Sequence, residues 1–287
     1  MSRPLVYVST GYFRNYKSKS IIEKFKKNKL NNIELSGGKF LTKKEIRNLR
    51  LLLDKCKLRI HNYFPPPKNK VVINLASDNK QVIKRSLNQI KKSIILSKIL
   101  KNKYFSFHAG FRMDPLPKNL GKKFRKNKII SKKKAEKIFL DNLKYINKFS
   151  RKHKIKILIE NNVINKKNFA IYGENPLLLT NPKDILDFFK KVPKDIGLLL
   201  DLGHLKVSAK TERFNHVDGL KKLNSLVKGY HMSDNGGLED ENKTFGKKAW
   251  FFNDLKRNLD YYTLEIYTNK LSKILKAKKL VENYLSN

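Results

Sequence analysis

The sequence predicts an α/β protein: a parallel barrel of eight strands with helices outside, a (β/α)8 architecture in which residues 1–287 form a single domain. Two observations point there. Strand-like and helix-like runs alternate eight times along the chain. Five apolar runs also end on a carboxylate or a histidine: I-L-I-E at 157–160, G-L-L-L-D at 197–201, V-K-G-Y-H at 227–231, Y-T-L-E at 262–265 and Y-F-S-F-H at 104–108. A buried strand that ends in such a group is costly unless the group is used, so the ends are expected to converge.

Strands are expected at Leu5–Ser9, Asn32–Leu35, Leu58–Asn62, Tyr104–His108, Ile155–Glu160, Gly197–Asp201, Lys228–Met232 and Tyr262–Ile266. The first of them, close to the N-terminus, reads as a strand rather than a signal peptide, because no long apolar region leads to a small-residue cleavage site. Helical spacing is found at Ile21–Phe25, Lys44–Leu53, Val82–Leu100, Ala135–Phe149, Asp184–Lys191, Val217–Val227, Trp250–Leu259 and Leu271–Leu285. In Val82–Leu100 the apolar residues at 82, 83, 87, 90, 94, 95, 99 and 100 trace one stripe of a helix, with Leu96 the one outlier. The competing architecture is an open doubly wound sheet. Against it, no Gly-x-Gly-x-x-Gly follows any strand, and Ser36-Gly37-Gly38 lacks the Lys-Ser/Thr of a nucleotide loop.

Three loops face the end where such barrels place their chemistry. Phe64–Val72 contains Pro65, Pro66 and Pro67 and must be extended. The run Val71–Ala76 adds a short accessory strand beside it. Phe111–Lys134 is basic, and Val163–Thr180 is long enough for a lid or substrate loop.

The chain carries a net charge of +41, with 65 Lys and Arg against 24 Asp and Glu. Only 11 of the basic residues are Arg. Lys, Asn and Ile share A/T-rich codons, and the lysines are spread over the polar faces of the expected helices. A nucleic-acid binder would concentrate them and favour Arg for forked phosphate contacts. The charge is therefore read as codon bias, and nucleic acid is not the expected partner. The single cysteine, Cys56, excludes an internal disulfide framework, suits a cytoplasmic setting and is expected to serve packing. No run reaches the ~18–20 apolar residues of a membrane helix.

Four of the six histidines, His61, His108, His204 and His231, lie at or just after expected strand ends; His153 and His216 are expected at the surface. Glu160, Asp201, His231 and Glu265 together make a carboxylate-rich set with one imidazole, the donors expected of a catalytic divalent metal site. In Asp201-Leu202-Gly203-His204, Asp201 is read as a ligand or as the N-cap of a helix. Gly203 permits a tight turn that returns His204 to the mouth. Asp234 orients His231, binds substrate, or simply starts the turn before Asn235-Gly236-Gly237. Arg112 meets a phosphate or carboxylate, or faces solvent.

The ordered motifs I-H-N at 60–62, F-H-A-G at 107–110, I-E-N-N at 159–162, D-L-G-H at 201–204, H-M-S-D at 231–234 and L-E-I at 264–266 resemble the xylose-isomerase-like TIM barrel superfamily, which holds sugar phosphate isomerases and epimerases and endonuclease IV-like proteins. The resemblance covers almost the entire chain. It implies a metal-dependent isomerase or epimerase of a small sugar, sugar phosphate or related polyol, with one divalent ion (Mn, Mg, Co or Zn) on Glu160, Asp201, His231 and Glu265. Glu160 and Glu265 would be the catalytic pair, moving a proton off and onto carbon by way of a metal-stabilised enediolate. His61, His108, His204 and Asp234 would contact substrate. A dehydratase on the same site is the near alternative, and a homodimer is compatible with the family. The apurinic endonuclease branch needs three zinc ions. Here Asn242 stands where its Asp-x-His motif has histidine, which argues against phosphodiester cleavage but leaves room for a second metal at His61, His108 and Glu160.

Overall fold

Short runs rich in branched aliphatic and aromatic residues form eight parallel strands in the computed structural model, which describes residues 4–286. Residues 1–3 and Asn287, part of the expected domain, lie outside the described residues. The strands are β1 (Val6–Ser9), β2 (Asn32–Leu35), β3 (Lys57–Ile60), β4 (Tyr104–His108), β5 (Lys156–Glu160), β6 (Gly197–Asp201), β7 (Val227–Met232) and β8 (Tyr262–Leu264). All eight expected strands are present, with ends shifted by no more than two residues. Their order is β3-β2-β1-β8-β7-β6-β5-β4, a nearly closed barrel. The seam lies between β3 and β4. It is closed by one parallel bridge, His61 to Ser106, and by Asn62 N donating to the Ser106 carbonyl at 2.8 Å.

Alternation along the strands separates two environments. Outward residues such as Val6, Val8, Ile33, Leu35, Phe105, Phe107, Ile157, Ile159, Leu198 and Leu200 pack with the helices into the main core. Leu158, Leu199 and Tyr261 form a separate small layer with Tyr104. On the same alternating phase the strands carry Glu34, His61, Ser106, His108, Glu160, Asp201, His231 and Thr263. The wall of the barrel therefore supplies stability outward and chemistry inward. At β7, Gly229 makes room for this layer: a Cβ there would lie 2.7 Å from the Cβ of Tyr261.

The helices are α1 (Ser18–Lys27), α2 (Lys43–Arg50), α3 (Lys80–Ile99), α4 (Lys132–Lys152), α5 (Lys166–Tyr172), α6 (Pro182–Phe189), α7 (Leu202–Glu212), α8 (His216–Leu223) and α9 (Leu271–Ser286). Polar N-caps start most of them. Thr42 and Glu45 form a reciprocal capping box, and Asn79, Ser131, Asn165, Asn181 and Asn215 each accept from the first turn.

Several expectations are corrected. Val71–Ala76 is no strand. Asn74 ties it down instead, its amide donating to the carbonyls of Phe111 and Met113 at 3.2 and 3.0 Å, so side-chain bonds replace a strand partner. Trp250–Leu259 contains only a single 3-10 turn, Phe252–Asp254, because its rings pack against Phe245 and Tyr284 rather than forming one apolar stripe. The loop Val163–Thr180 contains α5. Gly203 makes no turn: it lies in the first turn of α7, where a Cβ would come within 2.8 Å of Ser233 Oγ. His153 and His216 are half-buried against Phe149 and Trp250 rather than free at the surface. Cys56 is buried in the core, as expected.

Of the two alternatives for Arg112, it does not face solvent, and the carboxylate it meets is that of Glu174. It is buried, its Nη1 donating to Glu174 Oε2 and the Asn175 carbonyl at 2.7 Å each and its Nε to the Ile130 carbonyl at 3.0 Å. It clamps the loop after β4 to the loop after β5. Arg112→Ala leaves the half-buried carbonyls of Ile130 and Asn175 unpaired and should cost about 1–2 kcal/mol of stability, read as a lower denaturant midpoint; an unchanged midpoint would contradict the clamp.

Candidate metal centre

Register brings the strand-end side chains together. His108 pairs with Glu160 across β4 and β5, and Asp201 with His231 across β6 and β7. Glu265 follows β8, its N–H donating to the Met232 carbonyl at 3.1 Å. As a result Glu160, Asp201, His231 and Glu265 each offer a ligand atom within 4.8 Å of the others. His231 Nδ1 is the hub: it lies 2.9 Å from Glu160 Oε1, 2.9 Å from Glu265 Oε2 and 3.9 Å from Asp201 Oδ2. Glu160, Asp201 and His231 are fully buried, and Glu265 is partly exposed.

The donor set fits a cation. Glu160 Oε2 and Asp201 Oδ2 are buried with no hydrogen-bond partner among the described residues. Such orphaned carboxylate oxygens are costly unless a positive charge faces them. The titration behaviour agrees. Burial, resisted by His204 but reinforced by Asp240, Glu160 and Glu265, pushes Asp201 up to about 7. Burial also acts against Glu160, but His108, His231 and His61 outweigh it and hold that carboxyl well below its usual range. His231 is disfavoured as a cation by burial, yet Glu34, Glu160 and Glu265 raise it well above the ordinary histidine value.

The other expected residues divide. His61 Nε2 lies 3.2 Å and His108 Nδ1 3.3 Å from Glu160 Oε2. The additional ligand groupings are His61, Glu160 and His231, and separately His108, Glu160 and His204. The expected second set of His61, His108 and Glu160 is therefore split between two groupings. His204 packs over His108 with ring centroids 5.6 Å apart, its Nδ1 donating to the Asn161 carbonyl at 2.8 Å and its Nε2 3.3 Å from Asp240 Oδ2. Burial opposes its charge, but Asp201 and Asp240 raise it well above the ordinary value. Burial lowers His108 to about 4. Asp201 is also the N-cap of α7, its Oδ1 accepting from His204 N at 2.8 Å, so one oxygen caps while the other remains free. Asp234 is not drawn into the set: it is held by Lys206 Nζ at 2.6 Å and by Asn235 N at 2.8 Å, the arrangement of a turn residue.

Glu34 escaped the sequence reading. It is fully buried on β2, with Oε1 2.9 Å from His231 Nε2, and Oε2 accepting from Tyr261 Oη at 2.5 Å and Thr263 Oγ1 at 2.9 Å. The carboxylate thus faces the His231 ring from behind, one of three roles that the sequence left open for Asp234. Burial alone would raise it, but His231, His61 and Arg59 lower it to about 2. The cue was available: a carboxylate between Ile33 and Leu35, one residue before the strand end.

The model of the xylose isomerase-like TIM barrel matches residues 24–278. The chain belongs to that family. Among solved structures it is similar to a D-tagatose 3-epimerase-like protein (20% identity, TM-score 0.73, covering 98% of this chain and 97% of that one). It is also similar to D-psicose 3-epimerase with D-tagatose from Clostridium cellulolyticum H10 (13%, 0.64, 98% and 96%). A third is the probable 3-DHS dehydratase involved in petrobactin synthesis from Bacillus anthracis (14%, 0.56, 99% and 98%). At these identities the likeness shows the fold. No curated protein matches the sequence.

A divalent ion must displace the Asp201 proton below about pH 7 and the second His231 proton over a wider range. Apparent Mn²⁺ affinity, followed by calorimetry, should therefore rise with pH, and rise more steeply below about pH 7 than above it. A flat profile between about pH 6 and 8 would remove these two residues from the ligand set.

Proposed function

We propose that this protein is a divalent-metal-dependent isomerase or epimerase of a small sugar, sugar phosphate or related polyol, a soluble cytoplasmic enzyme built as one barrel domain. The observation that carries the reading is the convergence of Glu160, Asp201, His231 and Glu265, with two buried carboxylate oxygens left unpaired. These four would hold the ion, which when bound supplies positive charge to adjacent substrate oxygens. Glu160 and Glu265 reach His231 Nδ1 with separate oxygens, Oε1 and Oε2, and differ in exposure. In this reading one takes a proton from carbon and the other returns it, Glu160 buried among histidines and Glu265 partly exposed at the mouth. His204, charged by its carboxylate neighbours, and His61 and His108 would contact substrate hydroxyls. The sugar epimerases among the structural neighbours support the substrate class.

Replacing Glu160 or Glu265 with Gln keeps an oxygen near the ion and removes the base. Each change should lower solvent deuterium exchange into candidate ketoses by about 10²–10⁴-fold while metal content falls less. His204→Asn should weaken substrate binding and spare the metal. Exchange that continues unchanged in both glutamine variants would sink the two-glutamate mechanism. Loss of water from substrate, in place of exchange with return of the proton, would move the assignment to a dehydratase.

Asn242 argues against phosphodiester cleavage. Its amide donates to Asp240 Oδ2 at 3.3 Å, and it is buried beside Ser233, so an amide occupies the place of an imidazole ligand. Asn242→His should give no abasic-site cleavage, and duplex DNA should bind only in the ~10⁻⁴–10⁻⁶ M range of non-specific contacts, weakening steeply with salt. Tight, abasic-selective binding at physiological salt would favour the nuclease.

A further inference from the structure

A chain of buried hydrogen bonds runs from Glu34 through the middle of the barrel to His61. Tyr261 Oη is 2.5 Å from Glu34 Oε2, Ser106 Oγ is 2.8 Å from Tyr261 Oη, and His61 Nδ1 is 2.9 Å from Ser106 Oγ. Glu34, Ser106 and Tyr261 have no exposed surface and His61 has 3%, so solvent does not compete for any of these bonds. We propose that Glu34 is a positioning residue that acts at a distance: through Tyr261 and Ser106 it fixes His61 in the Nδ1–H tautomer, so that Nε2 faces the site as a bare lone pair.

The direction of the chain follows from donor counting. A carboxylate only accepts, so the Tyr261 proton lies toward Glu34. Tyr261 Oη then has only lone pairs to offer, and Ser106 must donate to it. With its single proton committed, Ser106 Oγ accepts, and His61 Nδ1 donates. A neutral ring with its proton on Nδ1 has none on Nε2.

This tautomer turns the Nε2 lone pair toward Glu160. His61 Nε2 lies 3.2 Å from Glu160 Oε2, yet that oxygen has no hydrogen-bond partner among the described residues. Two acceptors facing each other require a third group between them: a cation, or a donor such as a polyol hydroxyl. That final step rests on the sugar reading of the site, whereas the tautomer does not. Tyr261 is itself held in place. Arg59 lies over its ring at 3.8 Å and over Tyr7 at 3.7 Å, and the absence of a side chain at Gly229 leaves space for it.

Replacing the carboxylate with an amide reverses the chain. In Glu34→Gln the amide oxygen is drawn toward His231 Nε2, which turns the NH₂ toward Tyr261. Tyr261 then donates to Ser106 and Ser106 to His61 Nδ1, leaving the ring proton on Nε2. The experiment is two-bond ¹H–¹⁵N correlation on the full-length ¹⁵N-labelled protein at about pH 8, above the ordinary histidine range, with and without Mg²⁺. His61→Gln identifies the signal. In the wild type His61 should be predominantly Nδ1–H, and in Glu34→Gln predominantly Nε2–H. Tyr261→Phe and Ser106→Ala, which each remove one hydroxyl, should abolish the single-tautomer preference. A wild-type His61 carrying its proton on Nε2 overturns the proposal, as does Nδ1–H persisting in both Glu34→Gln and Tyr261→Phe. Should Glu34→Gln fail to fold, Tyr261→Phe and Ser106→Ala decide. A protein that shows the tautomer and its reversal but exchanges no ketose proton would refute the sugar reading alone.

Discussion

Glu160 is a fully buried carboxylate at the end of β5, and its neighbours must neutralise it. Its two oxygens touch His231 on one side and His61 and His108 on the other, at 2.9 to 3.3 Å. A buried carboxylate left alone would take up a proton or unfold the strand end; beside His231, which its carboxylate neighbours hold as a cation, it stays charged. This one requirement ties β3, β4, β5 and β7 to a common height, and the parallel registers deliver it. The remaining carboxylates, Asp201, Glu265, Glu34 and Asp240, then crowd the same few rings. Negative charge in the mouth therefore asks for a cation from outside.

The division of labour across the barrel wall allows this. The outward faces and the helices form the main apolar core, which supplies most of the buried apolar surface. The interior can then hold a polar column: Arg59 between two tyrosine rings below, Glu34 with its hydroxyl donors in the middle, and the metal-ligand set above. The middle level is hydrogen-bonded through Tyr261 and Thr263, while the level above keeps Glu160 Oε2 and Asp201 Oδ2 unpaired, so the column is completed only by a group that enters from the mouth.

Most of the architecture was legible because parallel strands covered on both faces leave plain apolar runs, and helices outside leave a stripe. Glu160, Asp201, His231 and Glu265 were legible because each ends or closely follows such a run. Glu34 was not, since it sits one position before the end of β2 and its role comes from His231, two hundred residues away in sequence. The start of α7 was legible only as one alternative, Asp201 as an N-cap, because Gly203 also suited a turn; the cap bond from His204 N to Asp201 makes it a helix. Asp234 and Arg112 were legible as polar residues near the mouth, but their partners, Lys206 in one case and three loop acceptors in the other, are tertiary contacts that spacing does not encode. The strand expected at Val71–Ala76 failed for the same reason: Asn74 satisfied by side-chain bonds the backbone that a ladder would have satisfied.

The barrel's incomplete closure gives its single seam a particular significance. Between β3 and β4 the wall is joined at His61 and Ser106, and those residues also bond through their side chains inside the barrel. Breathing of the cylinder, which concentrates where the fewest ladder bonds must break, would therefore pass through an imidazole of the candidate site. A ligand that braces His61 from the mouth would act as a clasp on the wall itself. On the proposed reading of the site, filling it and tightening the cylinder would be one mechanical event.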